Sequence, residues 1–119
     1  MANLIPILPG KRPKLKVSEA IVLDSVLRFL RIHPKVAWVQ RINVGAYKAD
    51  GARYLRFGFK GCSDIIGQTD TGRFLAIECK GSTGNLTPEQ ETFLARVNRH
   101  GGLAGMVRSI DDADRLLRQ

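Results

Sequence analysis

The order of apolar and polar positions divides the chain into a short series of elements. Val22, Leu23, Val26, Leu27 and Leu30 recur at the three- and four-residue intervals of one helical face. The spacing predicts a helix from Glu19 to about Ile32, with Ser18 as its N-cap and Pro34 ending it. From Val36 to Asn43 the residues are rich in β-formers and roughly alternate, which predicts a strand. Asp50-Gly51 is a turn signal, and a second strand or hairpin arm is expected at Arg53 to Phe57. The short apolar run SDIIG, the turn QTDTG and the returning run RFLAIECK together make residues 63–80 an antiparallel hairpin. Thr87 then stands as an N-cap before Pro88, and Gln90 completes a capping box. Phe93, Leu94 and Val97 give that second helix its buried face, and Gly101-Gly102 stop it. LAGMVRS reads as another strand, and Asp111 is expected to cap a terminal helix containing Leu116 and Leu117. The order is helix, three or four strands, helix, strand, helix, which predicts an α/β fold with a central mixed sheet flanked by helices. Trp38 is assigned to the core, and His33 and His100 to helix ends.

Residues 1–16 stand outside this pattern. Three prolines and the group Lys11, Arg12, Lys14 and Lys16 predict a flexible basic arm, leaving 17–119 as a single domain. A chain of 119 residues that is 44% hydrophobic can build one real core. Lys and Arg number 19 against 11 acids, a net charge of +8. That excess suits a polyanionic partner, because cationic surfaces displace counterions from phosphate backbones. A basic soluble protein without such a partner has the same charge. Cys62 and Cys79 offer neither a disulfide framework nor a paired metal-binding spacing, so they read as reduced thiols of a cytoplasmic protein. No apolar run is long enough for a membrane span, and the apolar patch of the opening MANLIPILPG precedes its charges, the reverse of a secretory signal.

The chemistry concentrates in FLAIECKG, residues 74–81. On a strand Glu78 and Lys80 share a face with Ala76, while Leu75, Ile77 and Cys79 take the other. The hairpin brings Asp64 towards Glu78, and two carboxylates at short range need a compensating cation. A hard divalent ion such as Mg²⁺ fits, with the backbone carbonyl of Cys79 as a further oxygen ligand. Such an ion activates water and offsets charge on a phosphoryl oxygen, and Lys80 could orient the nucleophile or neutralise the transition state. These pieces describe metal-assisted phosphodiester hydrolysis. Taken singly, each residue has a plain structural explanation. Glu78 and Lys80 would form a solvated ion pair, Asp64 a strand-edge acid, Gln90 a helix cap, and Glu19 a first-turn acid. Arg41, Lys48, Arg53, Arg56 and Lys60, interleaved with Tyr47, Tyr54 and Phe57, are candidates for DNA binding. A hairpin with an aromatic core face and a solvated basic face would show the same pattern.

Taken together, GCSDIIG (61–67), RFLAIECKG (73–81), LTPEQ (86–90) and GGLAGMVRS (101–109) resemble the VRR-NUC family of the PD-(D/E)xK nuclease superfamily, in its compact stand-alone viral or bacterial form. The resemblance implies a restriction-endonuclease-like core, with Asp64 and Glu78 as metal ligands beside the Cys79 carbonyl. It implies Lys80 as the catalytic lysine, Gln90 as the glutamine on the helix after the motif, and Glu19 as an acid near the metal, reached through water. It also implies dependence on Mg²⁺ or Mn²⁺ and a homodimer that cuts branched DNA such as four-way junctions, in the cytoplasm of a bacterium or a phage-infected cell. A non-catalytic nucleic-acid-binding module, or a nuclease subunit of a larger replication or restriction complex, are the competing expectations.

Overall fold

A computed structural model describes residues 16–42, 45–49, 53–57 and 59–119, with 45–49 and 53–57 described as backbone strands. The basic arm expected in residues 1–16 lies outside the described residues apart from Lys16, as do Asn43 and the Asp50-Gly51 turn. The elements are α1 (Glu19–Ile32), β1 (Val36–Arg41), β2 (Gly45–Ala49), β3 (Arg53–Phe57), β4 (Ile65–Thr69), β5 (Phe74–Cys79), α2 (Pro88–Arg99), β6 (Leu103–Val107) and α3 (Ile110–Leu117). A mixed four-stranded sheet has the order β1-β4-β5-β6, antiparallel except for the parallel pair β5/β6. β2 and β3 form a separate antiparallel ribbon, so among the described residues five strands precede α2 where three or four were expected.

The period of each element decides which layer it joins. Val22, Val26, Leu27 and Leu30 turn one stripe of α1 onto the sheet, where they meet Ile65, Leu75, Ile77, Cys79, Leu103 and Val107, with Ala113, Leu116 and Leu117 of α3. The alternate residues Ala76 and Ala104 face the other way and are covered by Leu94 of α2, with Phe93 and Val97 beside it. β5 therefore has a strand on either side and helices on either face. That is why its run from Leu75 to Cys79 is buried on both faces, Glu78 included.

Local chemistry sets the helix ends. The Ser18 hydroxyl accepts from the Ile21 amide at 3.3 Å, and Thr87 and Gln90 exchange the reciprocal bonds of a capping box. α3 departs from expectation. Ser109, in extended conformation, caps it by accepting from the Asp112 amide at 3.1 Å, and Asp111 falls in the first turn. The Asp112 carboxylate in turn accepts from the Arg108 amide, which fixes the N-cap at Ser109. Trp38 also departs from expectation. It lies on an edge strand, in a row with Gln68 and Phe74 on the sheet face that carries Ala76, and is 47% exposed. Its indole N–H donates to Gln68 Oε1 at 3.0 Å. His33 and His100 occupy the C-cap positions of α1 and α2.

Candidate active site

Four segments meet at the end of β5. Asp64 lies one residue before β4, and the Ile42 amide donates to its carbonyl at 2.7 Å. Its own amide donates to Glu78 Oε2 at 3.1 Å, while its Oδ2 accepts from the Cys79 amide at 2.9 Å. Each carboxylate is thus held by a backbone amide at the other's end of the hairpin. The two acids are drawn together by these bonds in spite of their like charge.

Gln90 joins the cluster from α2. Its Oε1 accepts from the Thr87 amide, and its Nε2 donates to Glu78 Oε1 at 2.9 Å. The helix cap and the site contact, which the sequence presented as alternatives, are two ends of one side chain. Lys80, alternating back to the Glu78 face, places Nζ 3.7 Å from Glu78 Oε1 and 3.7 Å from Glu19 Oε1, with its side chain only 12% exposed.

Glu19 arrives because α1 begins against the exit of β5. The Ser82 amide donates to the Val17 carbonyl at 3.0 Å, and the Val17 amide donates to Ser82 Oγ at 2.8 Å. Gly81 permits this approach, since a Cβ there would sit 2.5 Å from the Val17 oxygen and 2.9 Å from the Glu19 nitrogen. Sequence reasoning had no role for Gly81; a glycine directly after Glu-x-Lys was the available signal. Gly61 plays a similar part on the other side. At φ +89° it packs so closely on α2 that a Cβ would meet the Glu89 carbonyl oxygen at 2.5 Å.

Carboxylate oxygens of Glu19, Asp64 and Glu78 all lie within 4.8 Å of one another. Three acids face one ammonium, so the ionised cluster carries excess negative charge. Glu78 is 2% exposed. Burial first, then the neighbouring Asp64 charge, push its pKa up to about 8, against the opposing pull of Lys80. Burial likewise pushes the Cys79 thiol up to about 12, with the acids adding to the effect, and its side chain lies in the core behind the site. The donors offered are hard oxygens around an unneutralised charge, with the Cys79 thiol protonated and turned into the core. This set fits a hard divalent cation. The Cys79 amide points to the β4 side, and in a strand the carbonyl of the same residue leaves by the same edge. It therefore leaves on the Asp64 side.

The model of one protein family, the VRR-NUC domain, matches residues 31–111 of the 119. The chain belongs to the VRR-NUC family. Its α/β fold is that of the VRR-NUC nuclease core, and a nuclease-type function on DNA follows from membership. Asp64, Glu78, Lys80 and Gln90 fall within the matched residues; Glu19 lies before them, so its place rests on the α1 contact with β5. No curated protein matches the chain.

The candidate DNA-binding residues divide. Arg41 ends β1 opposite Ile65, one residue from Asp64, and is exposed. Lys60 is exposed next to α2, its Nζ 3.2 Å from Glu89 Oε1. Lys48 pairs in register with Tyr54, Arg56 with Ala46 and Arg53 with Ala49 on the ribbon; their side chains lie outside the described residues. Among the described residues no helix is long and apolar enough to cross a membrane.

Proposed function

We propose that this VRR-NUC protein is a metal-dependent, structure-selective DNA endonuclease that acts on branched DNA, four-way junctions included, as a homodimer in the cytoplasm. The observation that carries the reading is the convergence of Glu19, Asp64 and Glu78 around Lys80 at the end of one buried strand. Asp64 and Glu78, with the Cys79 carbonyl, would hold Mg²⁺ or Mn²⁺, and Glu19 would reach it through water. A bound ion of this kind lowers the pKa of water and offsets charge on a phosphoryl oxygen. The chain's own groups supply the positioning. Gln90 fixes Glu78 Oε1, Lys80 orients the attacking water and neutralises charge developing on the phosphate, and Arg41 and Lys60 hold the backbone on either side. Two opposed nicks in a junction require two sites, and one chain provides one, which favours a two-fold symmetric dimer.

The test is a cleavage panel of linear, flapped, splayed and four-way DNA with Mg²⁺ or Mn²⁺, run beside Glu78→Ala and Lys80→Ala, with light scattering under the same conditions. Each substitution is expected to lower cleavage by about 100-fold or more while DNA binding persists. Wild-type rates in both variants would refute the site, equal cutting of all substrates the structure selectivity, and an active monomer the dimer.

A further inference from the structure

Beside the carboxylate cluster, on an adjoining strip of α2, runs a groove of about 260 Å³ that the catalytic scheme touches only at Lys60. Phe59, Lys60, Glu89, Phe93 and Arg96 are among its lining residues. Glu89, Phe93 and Arg96 follow one another at helical spacing, while Gln90 and Leu94 turn towards the sheet. Phe59 and Phe93 meet edge to face, with centroids 5.0 Å apart and ring planes at 68°. Phe93 is partly buried against Leu94, but Phe59 remains 52% exposed. The loop that carries Phe59 is fixed by the close approach of Gly61 to Glu89 and by a hydrogen bond from the Cys62 amide to the Phe59 carbonyl. A large apolar ring is therefore held against Phe93 and remains half open to solvent.

We propose that this groove receives one unpaired nucleotide of the DNA substrate, with its base stacked on Phe59 and its flanking phosphates on Lys60 and Arg96. The inference rests on the reading of the substrate as DNA and names the feature of it that this site recognises. An exposed aromatic face flanked by two cations suits a nucleotide, because every base has a stacking face and every linkage has a charge. Glu89, paired with Lys60, repels a bare phosphate, so the base takes the groove and the phosphates take its cationic edges. Glu89 directly precedes Gln90, which holds Glu78. A base in the groove would thus lie beside the strand presented for cutting, and flapped or splayed DNA offers an unpaired base there that a fully paired duplex does not.

The experiment uses the full chain in chelator, so that nothing is cut, with a splayed duplex carrying a fluorescent adenine analogue at one unpaired position. Stacking on Phe59 is expected to quench the analogue. In Phe59→Leu, which keeps an apolar group against Phe93, quenching should vanish and the preference for splayed over fully paired DNA should fall about tenfold, while Phe59→Tyr retains both. Arg96→Gln, an exposed change, should weaken splayed-DNA binding and lessen its salt dependence by about one phosphate contact. An unchanged preference in Phe59→Leu would overturn the proposal. So would a shift of that variant from dimer to monomer in light scattering, because the groove would then be a contact between subunits. Quenching by a protein that cuts no DNA with either metal would support the groove and sink the nuclease reading. Cutting without quenching would do the reverse.

Discussion

The buried carboxylate of Glu78 predicts that the metal-free protein loses stability as pH rises. Because burial raises its pKa, the folded chain keeps a proton that the unfolded chain releases above pH 4.5. The stabilising proton is present below that value, and the contribution fades between pH 4.5 and about 8, beyond which the loss is complete. At about 1.4 kcal/mol per pH unit the interval sets a ceiling of roughly 5 kcal/mol. The site opens onto exposed Glu19 and half-buried Asp64, which lets solvent screen it, so a loss of about 2–4 kcal/mol is expected. Against a typical domain stability of about 5–15 kcal/mol this is a large fraction. Urea unfolding in chelator at about pH 5.5, 7 and 8.5, at constant ionic strength, measures it. Glu78→Gln keeps the shape and the Gln90 contact without the charge, and should flatten the profile. Mg²⁺ should restore stability most at the alkaline end, where the carboxylate is free to bind it. Equal pH slopes in the wild type and Glu78→Gln would refute the reasoning.

Two further predictions test how the site is held. Gly81→Ala should cost about 1–3 kcal/mol in urea unfolding, because its Cβ meets the Val17 oxygen, and should raise the Mg²⁺ concentration needed for cleavage by displacing Glu19. Thr87→Ala should cost about 1 kcal/mol with cleavage changed only a few-fold, whereas Gln90→Ala removes a donor from buried Glu78 and should lower cleavage at least tenfold. Parallel unfolding and cleavage assays separate the two; equal losses of activity would mean that Gln90 acts only as a cap.

Features set by neighbouring residues were legible in the sequence. The Ser18 cap, the apolar stripe of α1 and the capping box of α2 depend on spacing within a few residues, and all are present. The approach of Asp64 to Glu78 was legible because a short turn fixes the hairpin register. Features set by packing were not. Trp38 has a core residue's composition, but α2 covers Ala76 and Ala104 rather than the β1 end of that face. Asp111 and Ser109 are both competent caps, and the choice came from the extended backbone of Ser109 and the bond between Asp112 and the Arg108 amide. Glu19 was expected near the metal, but its approach to Lys80 depends on Gly81, whose meaning exists only once α1 lies against it. The groove stayed hidden because Phe93 alone looked like ordinary core and Phe59 had no partner in sight.

The latch between Val17 and Ser82 closes a loop of 65 residues, and the cluster behind it draws on α1, the mouth of β4, β5 and α2. No fragment shorter than residues 19–90 spans the whole cluster. A molecule that ends before Gln90, or one in which α1 has opened away, lacks at least one of its groups. Nuclease activity is thereby tied to the docking of α1 on β5, and loss of cleavage becomes an early alarm for the undocking of α1.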